Sequence, residues 1–221
     1  MSRLYGPNHR SLQDRFDTRR LADNVERRVV GTEITAEHKA FIESRDMFWL
    51  ATIDHQGRPT VSYKGGDPGF VRVLDGKTVV FPCYDGNGMF YSMGNLIGNG
   101  QVGMLFVNFE KPHQLRLQGV ASVDDNDPLL KDYAEAQLVV RVAVIEIFRN
   151  CPRYVHRYQK ITPSEFVPRP DCETPLAPWK RVDDVQASLP ARDRERAARE
   201  GKIVSRAEYE KYLAEVASRE T

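Results

Sequence analysis

The sequence predicts a mainly β protein built around an antiparallel β barrel. Seven strand-like runs rich in Val, Ile, Phe and Leu follow one another through the centre of the chain, separated by Gly, Pro and Asp. Only two or three short helices are indicated beside them, which favours a barrel over a doubly wound sheet. Asp75-Gly76, between FVRVL and KTVVF, predicts a hairpin, because Asp and Gly tolerate the positive φ angles of a type I′ turn.

The predicted strands are short and closely spaced. They cover residues 47–53, 60–64, 70–74, 77–81, 101–107, 114–123 and 138–148. A second tight turn is expected at Asp54-His55-Gln56-Gly57.

Three helices are predicted around these strands. The first covers residues 35–45, with Thr35 as its cap, and a short second one covers residues 89–97. The third covers residues 127–136, with Asp127 as the cap and Pro128 at the first helical position.

The length and composition indicate one domain with extensions. A chain of 221 residues with 41% hydrophobic residues can bury one sizeable core. We expect residues 1–34 to be an N-terminal extension, residues 35–158 to be the folded domain and residues 159–221 to be a proline-rich arm with a C-terminal helix. Five of the 13 prolines fall between residues 163 and 178, which argues for an extended arm rather than a second core. The helix is predicted by a capping box, Ser205-x-x-Glu208.

Several functional classes are disfavoured by composition. A net charge of +1 offers no whole-chain attraction for nucleic acid or acidic lipid. The three cysteines have no CxxC spacing, which fits a reducing compartment and argues against a zinc ribbon. We found no signal peptide, spanning run, histidine metal motif or G-x-S-x-G or G-x-G-x-x-G motif. We therefore expect a cytoplasmic protein without membrane, nucleic-acid or metal partners.

Two glycine-rich stretches suggest an anion site. In SYKGGDPGF, Lys64 ends the second predicted strand just before two glycines. In CYDGNG, residues 83–88, the glycines precede a predicted helix, whose free amides and dipole attract a phosphate. From spacing alone, a hydrated connector explains this second loop equally well. On the sixth strand, Gln114 and Arg116 share one face, which is either solvent or a polar cleft.

The order of these motifs resembles a known family. FWLATID-x-x-GRP, SYKGGDPGFVRVLD, FPCYDGN, GNLIGNGQVGMLFV, QLRLQG and NCPRY together resemble the pyridoxamine 5′-phosphate oxidase-like flavin-binding split-barrel family, over about residues 35–158. The branch that this chain resembles carries KGGDPGFVRVLD, YDGN and NCPRY.

The resemblance implies a six-stranded antiparallel split barrel that forms a homodimer with one FMN in each interface cleft. It places FMN at basic and hydroxyl side chains of the second strand, in the loop after the fourth, and at the glutamine before the R-x-x-G strand. Tyr63, Tyr84 and Arg153 are candidates to orient a small-molecule substrate over the flavin ring. The full set of expected cofactor-binding residues is Ser62, Tyr63, Lys64, Cys83, Tyr84, Asn87, Gly88, Met89, Gln114 and Arg153.

This chain departs from the vitamin B6 oxidases of the family. Those enzymes carry an arginine near Ser62 and a Ser-Arg-Lys run near Asn87, whereas here only Lys64 remains as a cation. Their basic C-terminal motif is also not recognised. The leading hypothesis is therefore an FMN-dependent oxidoreductase of an unidentified small substrate. The alternatives are a non-catalytic flavin-binding or sensing module whose C-terminal helix contacts a partner, or a relative that uses deazaflavin or haem, with His156 as the axial ligand of a haem.

Overall fold

The chain forms two compact units, which meet in sequence between Pro163 and Ser164. The computed structural model describes residues 2–201 and 203–219. Among these residues, no helix is both long enough and apolar enough to cross a membrane.

Over residues 2–163, the first unit contains four α-helices, one 3-10 turn and seven strands. The helices are α1 (Pro7–Arg15), α2 (Arg19–Val29), α3 (Ala36–Glu43) and α4 (Tyr91–Gly98). The strands are β1 (Met47–Ile53), β2 (Pro59–Gly65), β3 (Arg72–Asp75), β4 (Thr78–Cys83), β5 (Gln101–Asn108), β6 (His113–Asp124) and β7 (Leu138–Asn150).

All seven strands belong to one antiparallel sheet. Its order is β2-β1-β5-β6-β7-β4-β3. The sheet curls round on itself. This is shown by Lys64, near the end of β2, whose amine lies close to the thiol of Cys83 at the end of β4, although β4 is five strands away in this order. The architecture confirms the expected split barrel, with a seventh strand where the resemblance implied six: β3, four residues long, extends the sheet beyond β4.

The barrel core is centred on Phe48. Alternate residues of β1 point inward, and the Phe48 ring lies 5.9 Å from the ring of Phe70, 5.0 Å from that of Phe81 and 5.2 Å from that of Phe106. Phe48 is completely buried and pairs across the sheet with Lys64. The aromatic core therefore lies next to one of the expected ligand-binding residues, on the same face of the sheet.

The sequence located every strand to within two residues, but two local predictions were wrong. The β3–β4 hairpin is present, yet neither Asp75 nor Gly76 has a positive φ, so its turn is not type I′. Instead, the Asp75 carboxylate accepts a hydrogen bond from the Lys77 amide at 2.7 Å. The helix predicted at residues 127–136 is only a 3-10 turn, Pro128–Asp132. Glu135, with a φ of 52°, is incompatible with a continuing α-helix.

The two N-terminal helices were not predicted. Neither α1 nor α2 contains a buried residue. They therefore lack the buried apolar face by which helices are recognised in a sequence.

The second unit is more folded than an extended arm. It contains 3-10 turns at Pro178–Arg181 and Asp183–Ser188, and helices α5 (Ala191–Arg199) and α6 (Arg206–Arg219). The Lys180 ammonium donates to the buried Asp193 carboxylate at 2.7 Å. Pro178 and Pro190 stand at helix starts, where proline is tolerated. The capping box is confirmed, since the Glu208 amide donates to Ser205 Oγ and the Ser205 amide donates to Glu208 Oε2.

Candidate functional site

The inner face of β2 carries the candidate site. Thr60, Ser62 and Lys64 pair with Thr52, Leu50 and Phe48 of β1, all three of which are buried. Side chains alternate along a strand, so Ser62 and Lys64 share this inner face at the edge of the sheet. Tyr63 points to the opposite face, where it is 62% exposed. The structure thus brings Ser62 and Lys64 together and separates Tyr63 from them.

Lys64 is a partly buried cation that has no counter-ion among the residues that the structure describes. Burial lowers the pKa of its amine, and the nearby Cys83 thiol opposes that shift. Among the residues that the structure describes, Lys64 forms no hydrogen bond and no ion pair. A desolvated ammonium group gains most from an anionic partner, so the surroundings of Lys64 suit an anion.

The start of α4 lies against the same face of β2. Ser62 Oγ and Ser92 Oγ are 3.1 Å apart, and Ser92 is the second residue of α4. The first amides of a helix have no partner within the helix and carry the positive end of its dipole. Two hydroxyl groups and these amides therefore lie on the face that carries the Lys64 ammonium.

Polar contacts fix α4 on the barrel. Asn95 Nδ2 donates to Thr52 Oγ1 at 3.0 Å, and the Tyr91 hydroxyl donates to Asp54 Oδ2 at 3.1 Å. Asp54 is buried. Hydrogen bonds from Arg58 hold the pKa of its carboxyl far below its usual range, although burial alone would raise it. The helix start is thus held in place by a charged carboxylate at the β1–β2 turn.

Sequence reasoning missed Ser92, Asn95, Tyr91 and Asp54. Ser92 and Asn95 lie within the predicted helix, and a serine in a first helical turn is a usable signal for an anion site. Their partners on β1 and β2 are at least thirty residues away in sequence, so only the fold reveals the contacts.

The loop between β4 and α4 lies beside the inner face of β2 that carries Ser62 and Lys64. Asn87 Oδ1 accepts a hydrogen bond from the Met89 amide at 3.1 Å, and Gly88 has a φ of 77°, which a side chain would strain. The loop begins beside Cys83, close to Lys64, and ends at α4. Chain continuity therefore places Asn87, Gly88 and Met89 between two parts of the site, and all three are exposed.

Cys83 is a partly buried thiol of low reactivity. Burial raises its pKa, although Lys64 acts in the opposite direction. All three cysteines are free thiols, and Cys151 and Cys172 are exposed.

Within the described residues, Tyr84, Gln114 and Arg153 form no hydrogen bond, ion pair or ring contact with the Ser62–Ser92 pair. Tyr84 follows Cys83, the last residue of β4. Gln114 Nε2 donates to the Cys151 carbonyl at 2.8 Å, and the Arg153 guanidinium carbon lies 6.0 Å from the centroid of the Tyr154 ring. Gln114 is on β6, three inter-strand spacings from β2, or about 14 Å. One chain therefore forms two separate groups of expected site residues.

Among residues 2–201 and 203–219, no cluster of three or more His, Cys, Asp or Glu side chains is arranged to hold a metal ion.

Tyr133 lies near Tyr84, and its buried hydroxyl allows a prediction about stability. It is buried, burial raises its pKa to about 12, and its hydroxyl has no hydrogen-bond partner among the described residues. We expect Tyr133→Phe to leave the free energy of unfolding unchanged or to raise it by up to about 1 kcal/mol, because no bond is lost. Urea denaturation measures this difference, and a loss of more than about 1 kcal/mol would show that the hydroxyl is bonded.

Comparison with known proteins assigns the fold to a family. The family model described as pyridoxamine 5′-phosphate oxidase matches residues 34–157. No curated protein sequence matches the chain.

Similar solved structures are distant in sequence. Tagged HupZ from Group A Streptococcus is 21% identical, with a TM-score of 0.44, over 57% of this chain and 99% of that chain. An FMN-binding protein from Syntrophomonas wolfei is 11% identical, with a TM-score of 0.40, over 63% of this chain and 97% of that chain. An F420 reductase is 17% identical, with a TM-score of 0.37, over 49% of this chain and 94% of that chain.

The family match spans more than half of the chain and contains all seven strands of the sheet. The chain therefore belongs to the pyridoxamine 5′-phosphate oxidase-like family of FMN-binding split-barrel proteins.

Proposed function

We propose that this protein is an FMN-dependent oxidoreductase that acts on a small substrate as a homodimer. The observation that carries the proposal is the partly buried Lys64 ammonium, which has no partner within residues 2–201 and 203–219 and lies on the same face of β2 as the Ser62–Ser92 hydroxyl pair. A phosphate monoester supplies the negative charge and acceptor oxygens that these groups lack.

The described side chains fit the phosphate end of FMN. Lys64 would give a charge-assisted hydrogen bond, which is roughly twice as strong as a neutral one. Ser62, Ser92 and the amides that begin α4 would give neutral bonds. Asn87, Gly88 and Met89 belong to the exposed loop beside them, where backbone can approach a ligand. This set compensates for the cations that the vitamin B6 oxidases have and this chain lacks.

The cofactor would supply the redox chemistry, since flavins transfer hydrides or electrons. The chain would bind the phosphate, orient the ring and shield the substrate from water. Its buried carboxylate Asp54 is already occupied by hydrogen bonds from Arg58 and Tyr91. We therefore propose substrate positioning by residues such as Arg153, and assign no side chain as a general acid or base.

A second copy of the chain would unite the two groups of residues. Gln114, on β6, is separated from Lys64 by β1 and β5 within one chain, and its side chain bonds to the carbonyl of Cys151, two residues before Arg153. The outer face of β2 exposes Val61 and Tyr63, 68% and 62% exposed respectively, which is an apolar surface suited to an interface. In the proposed dimer, Gln114, Cys151 and Arg153 of one copy face the phosphate site of the other.

The dimer has its own test. We expect multi-angle light scattering to give twice the chain mass of 25.3 kDa. Val61→Asp together with Tyr63→Asp would place charge on the proposed interface and shift the protein to monomers. A matched pair on an exposed surface outside it, Leu74→Asp with Leu12→Asp, serves as the control, since both side chains are also exposed. A wild-type monomer that binds FMN would contradict the dimer.

Cofactor identity tests the proposal directly. The protein is purified, heated to release any bound small molecule, and the molecule is identified by mass. We expect FMN at one molecule per chain, and reduction of the bound flavin by NADH or NADPH. A colourless protein that takes up no added FMN would overturn the proposal. A flavoprotein that neither donor reduces would favour the non-catalytic alternative, and release of deazaflavin or haem would replace FMN in the assignment.

A further inference from the structure

The first turn of α4 begins from a strained residue. Phe90, which precedes the helix, has a φ of 47° and a ψ of 27°, a left-handed conformation that is rare for a bulky side chain. Phenylalanine has no side-chain acceptor with which to cap the first amides of a helix, and residues 85–91 are exposed. A helix of eight residues is also marginal by itself. Contacts with the rest of the barrel must therefore hold Phe90 and the first turn in place.

Tyr91, the first residue of α4, makes such a contact with the β1–β2 turn. Its hydroxyl donates to Asp54 Oδ2 at 3.1 Å. Asn95, one turn further along the helix, donates to Thr52 Oγ1 at 3.0 Å. Residues four apart lie on the same face of a helix, so both side chains attach α4 to β1. The Tyr91 bond ends on a carboxylate, and bonds to ionised groups are roughly twice as strong as neutral ones.

Asp54 is a rigid acceptor for the Tyr91 hydroxyl. Its side chain is 1% exposed, and Oδ1 accepts hydrogen bonds from the amides of Gln56 and Arg58, each at 2.9 Å. Arg58 Nε donates to Oδ2 at 2.8 Å, and the guanidinium balances the charge of the carboxylate. The carboxylate cannot move without breaking these bonds within its own turn. It therefore holds Tyr91 at a fixed place relative to β1 and β2.

Tyr91 is the direct neighbour of a residue of the proposed phosphate site. Ser92 Oγ lies 3.1 Å from Ser62 Oγ, on the face of β2 that also carries Lys64. A shift of the first turn would change the distance from Ser92 and the first free amides of α4 to Lys64. Hydrogen bonds weaken steeply with distance and misalignment, so a phosphate held from both sides would lose part of its bonds. A flavin without a phosphate would lose none of them.

We propose that Tyr91 is a positioning residue for the phosphate site: by donating to Asp54, its hydroxyl fixes the first turn of α4 relative to β2 and so sets the preference of the protein for FMN over riboflavin, which lacks the phosphate. The inference rests on the proposed function, because it requires the phosphate of FMN to bind between α4 and β2. Tyr91 acts through Ser92 and the first amides of α4, and we assign it no contact with the cofactor.

The test compares Tyr91→Phe with Tyr5→Phe. Tyr91→Phe keeps the ring and removes only the hydroxyl. Tyr5→Phe is the matched control, because the Tyr5 hydroxyl also donates a hydrogen bond, to the Ala22 carbonyl of α2 at 3.4 Å. Dissociation constants for FMN and for riboflavin are measured by titration. Hydrogen exchange of the Gly94 amide, which donates to the Phe90 carbonyl at 2.7 Å, is measured in the FMN-free protein and reports on the first turn.

In Tyr91→Phe we expect the FMN dissociation constant to rise about threefold to tenfold, within the range of a coupling between neighbouring groups, and the riboflavin constant to change less than about twofold. Exchange of the Gly94 amide should become about tenfold faster, because the first turn opens more often. Tyr5→Phe should leave all three quantities close to the wild-type values.

An unchanged ratio of the two dissociation constants in Tyr91→Phe, or unchanged exchange of the Gly94 amide, would overturn the inference while the proposed function stands. A wild-type protein that binds neither flavin would instead overturn the proposed function. The exchange data would then still decide whether the Tyr91 hydroxyl fixes the first turn of α4.

Discussion

Phe48→Ala is expected to lower the free energy of unfolding of the first unit by about 3–5 kcal/mol, the usual cost of removing a buried phenylalanine ring. Phe48 is completely buried, and its ring lies within 6 Å of the rings of Phe70, Phe81 and Phe106. The cavity left by alanine would be lined by rings from β4, β5 and the segment just before β3, which are held by their own contacts and would fill it only in part.

Chemical denaturation of Phe48→Ala and of wild type measures this loss. Leu74→Ala, at a half-exposed position of β3, is the control and should change the free energy of unfolding by no more than about 0.5 kcal/mol. A Phe48→Ala loss below about 1 kcal/mol would mean that the centre of the core lies elsewhere. Because Phe48 pairs with Lys64 across the sheet, we also expect weaker FMN binding in this variant.

Lys64→Ala is expected to weaken FMN binding by about 1–3 kcal/mol, the cost of losing a hydrogen bond to a charged group. That energy corresponds to a dissociation constant roughly 5-fold to 150-fold higher. Lys64 is the cation on the inner face of β2, and it has no protein partner among the described residues that could compete with the phosphate. Lys131→Ala, at an exposed lysine of the β6–β7 connection, is the matched control. Unchanged affinity in Lys64→Ala would remove Lys64 from the site.

The lowered pKa of Lys64 predicts that FMN affinity depends on pH. Burial lowers the pKa of Lys64, so its ammonium loses its proton at a lower pH than an ordinary lysine. FMN affinity should be highest below this pKa and should fall as pH rises through it, since a neutral amine gives no charge-assisted bond. In Lys64→Ala this alkaline loss should be absent. Fluorescence titration of FMN across the alkaline range measures the difference.

The stability of the FMN-free protein should change in the opposite direction. A lysine whose pKa is lowered in the folded state opposes folding while it is protonated, and this effect disappears as pH rises through the folded pKa towards the unfolded one. Lys64→Met keeps the aliphatic stem and removes the charge, so we expect it to stabilise the FMN-free protein at neutral pH. Its thermal midpoint should exceed that of wild type, and a lower midpoint would show that the charge is already compensated within the protein.

Much of the barrel was predictable because its signals are local. A nearly continuous apolar run marks β1, alternating apolar residues mark β6, and Gly, Pro and Asp mark the ends of the strands. The third predicted helix failed because tertiary contacts decided its conformation. Arg141 holds Asp127, Arg72 holds Asp132, and Glu135 turns the chain out of the helical region. None of these contacts is local enough to be read from residues 127–136.

The candidate site was only half predictable. Ser62 and Lys64 follow from their place on one strand, whereas Ser92 became visible only when α4 was seen to pack against β2. Gln114 and Arg153 were assigned by resemblance, and the strand order places Gln114 on the far side of β1 and β5 from Lys64. A sequence contains no direct record of strand order, so the separation of Gln114 from Lys64 within one chain could not be derived from residue patterns.

The most direct test of the phosphate site is to titrate the FMN-free wild-type protein with FMN and with riboflavin, which is the same flavin without its phosphate. If Lys64, Ser62 and Ser92 hold the phosphate, FMN should bind at least about tenfold more tightly than riboflavin, since several hydrogen bonds depend on that group. Equal dissociation constants for the two flavins would contradict this assignment.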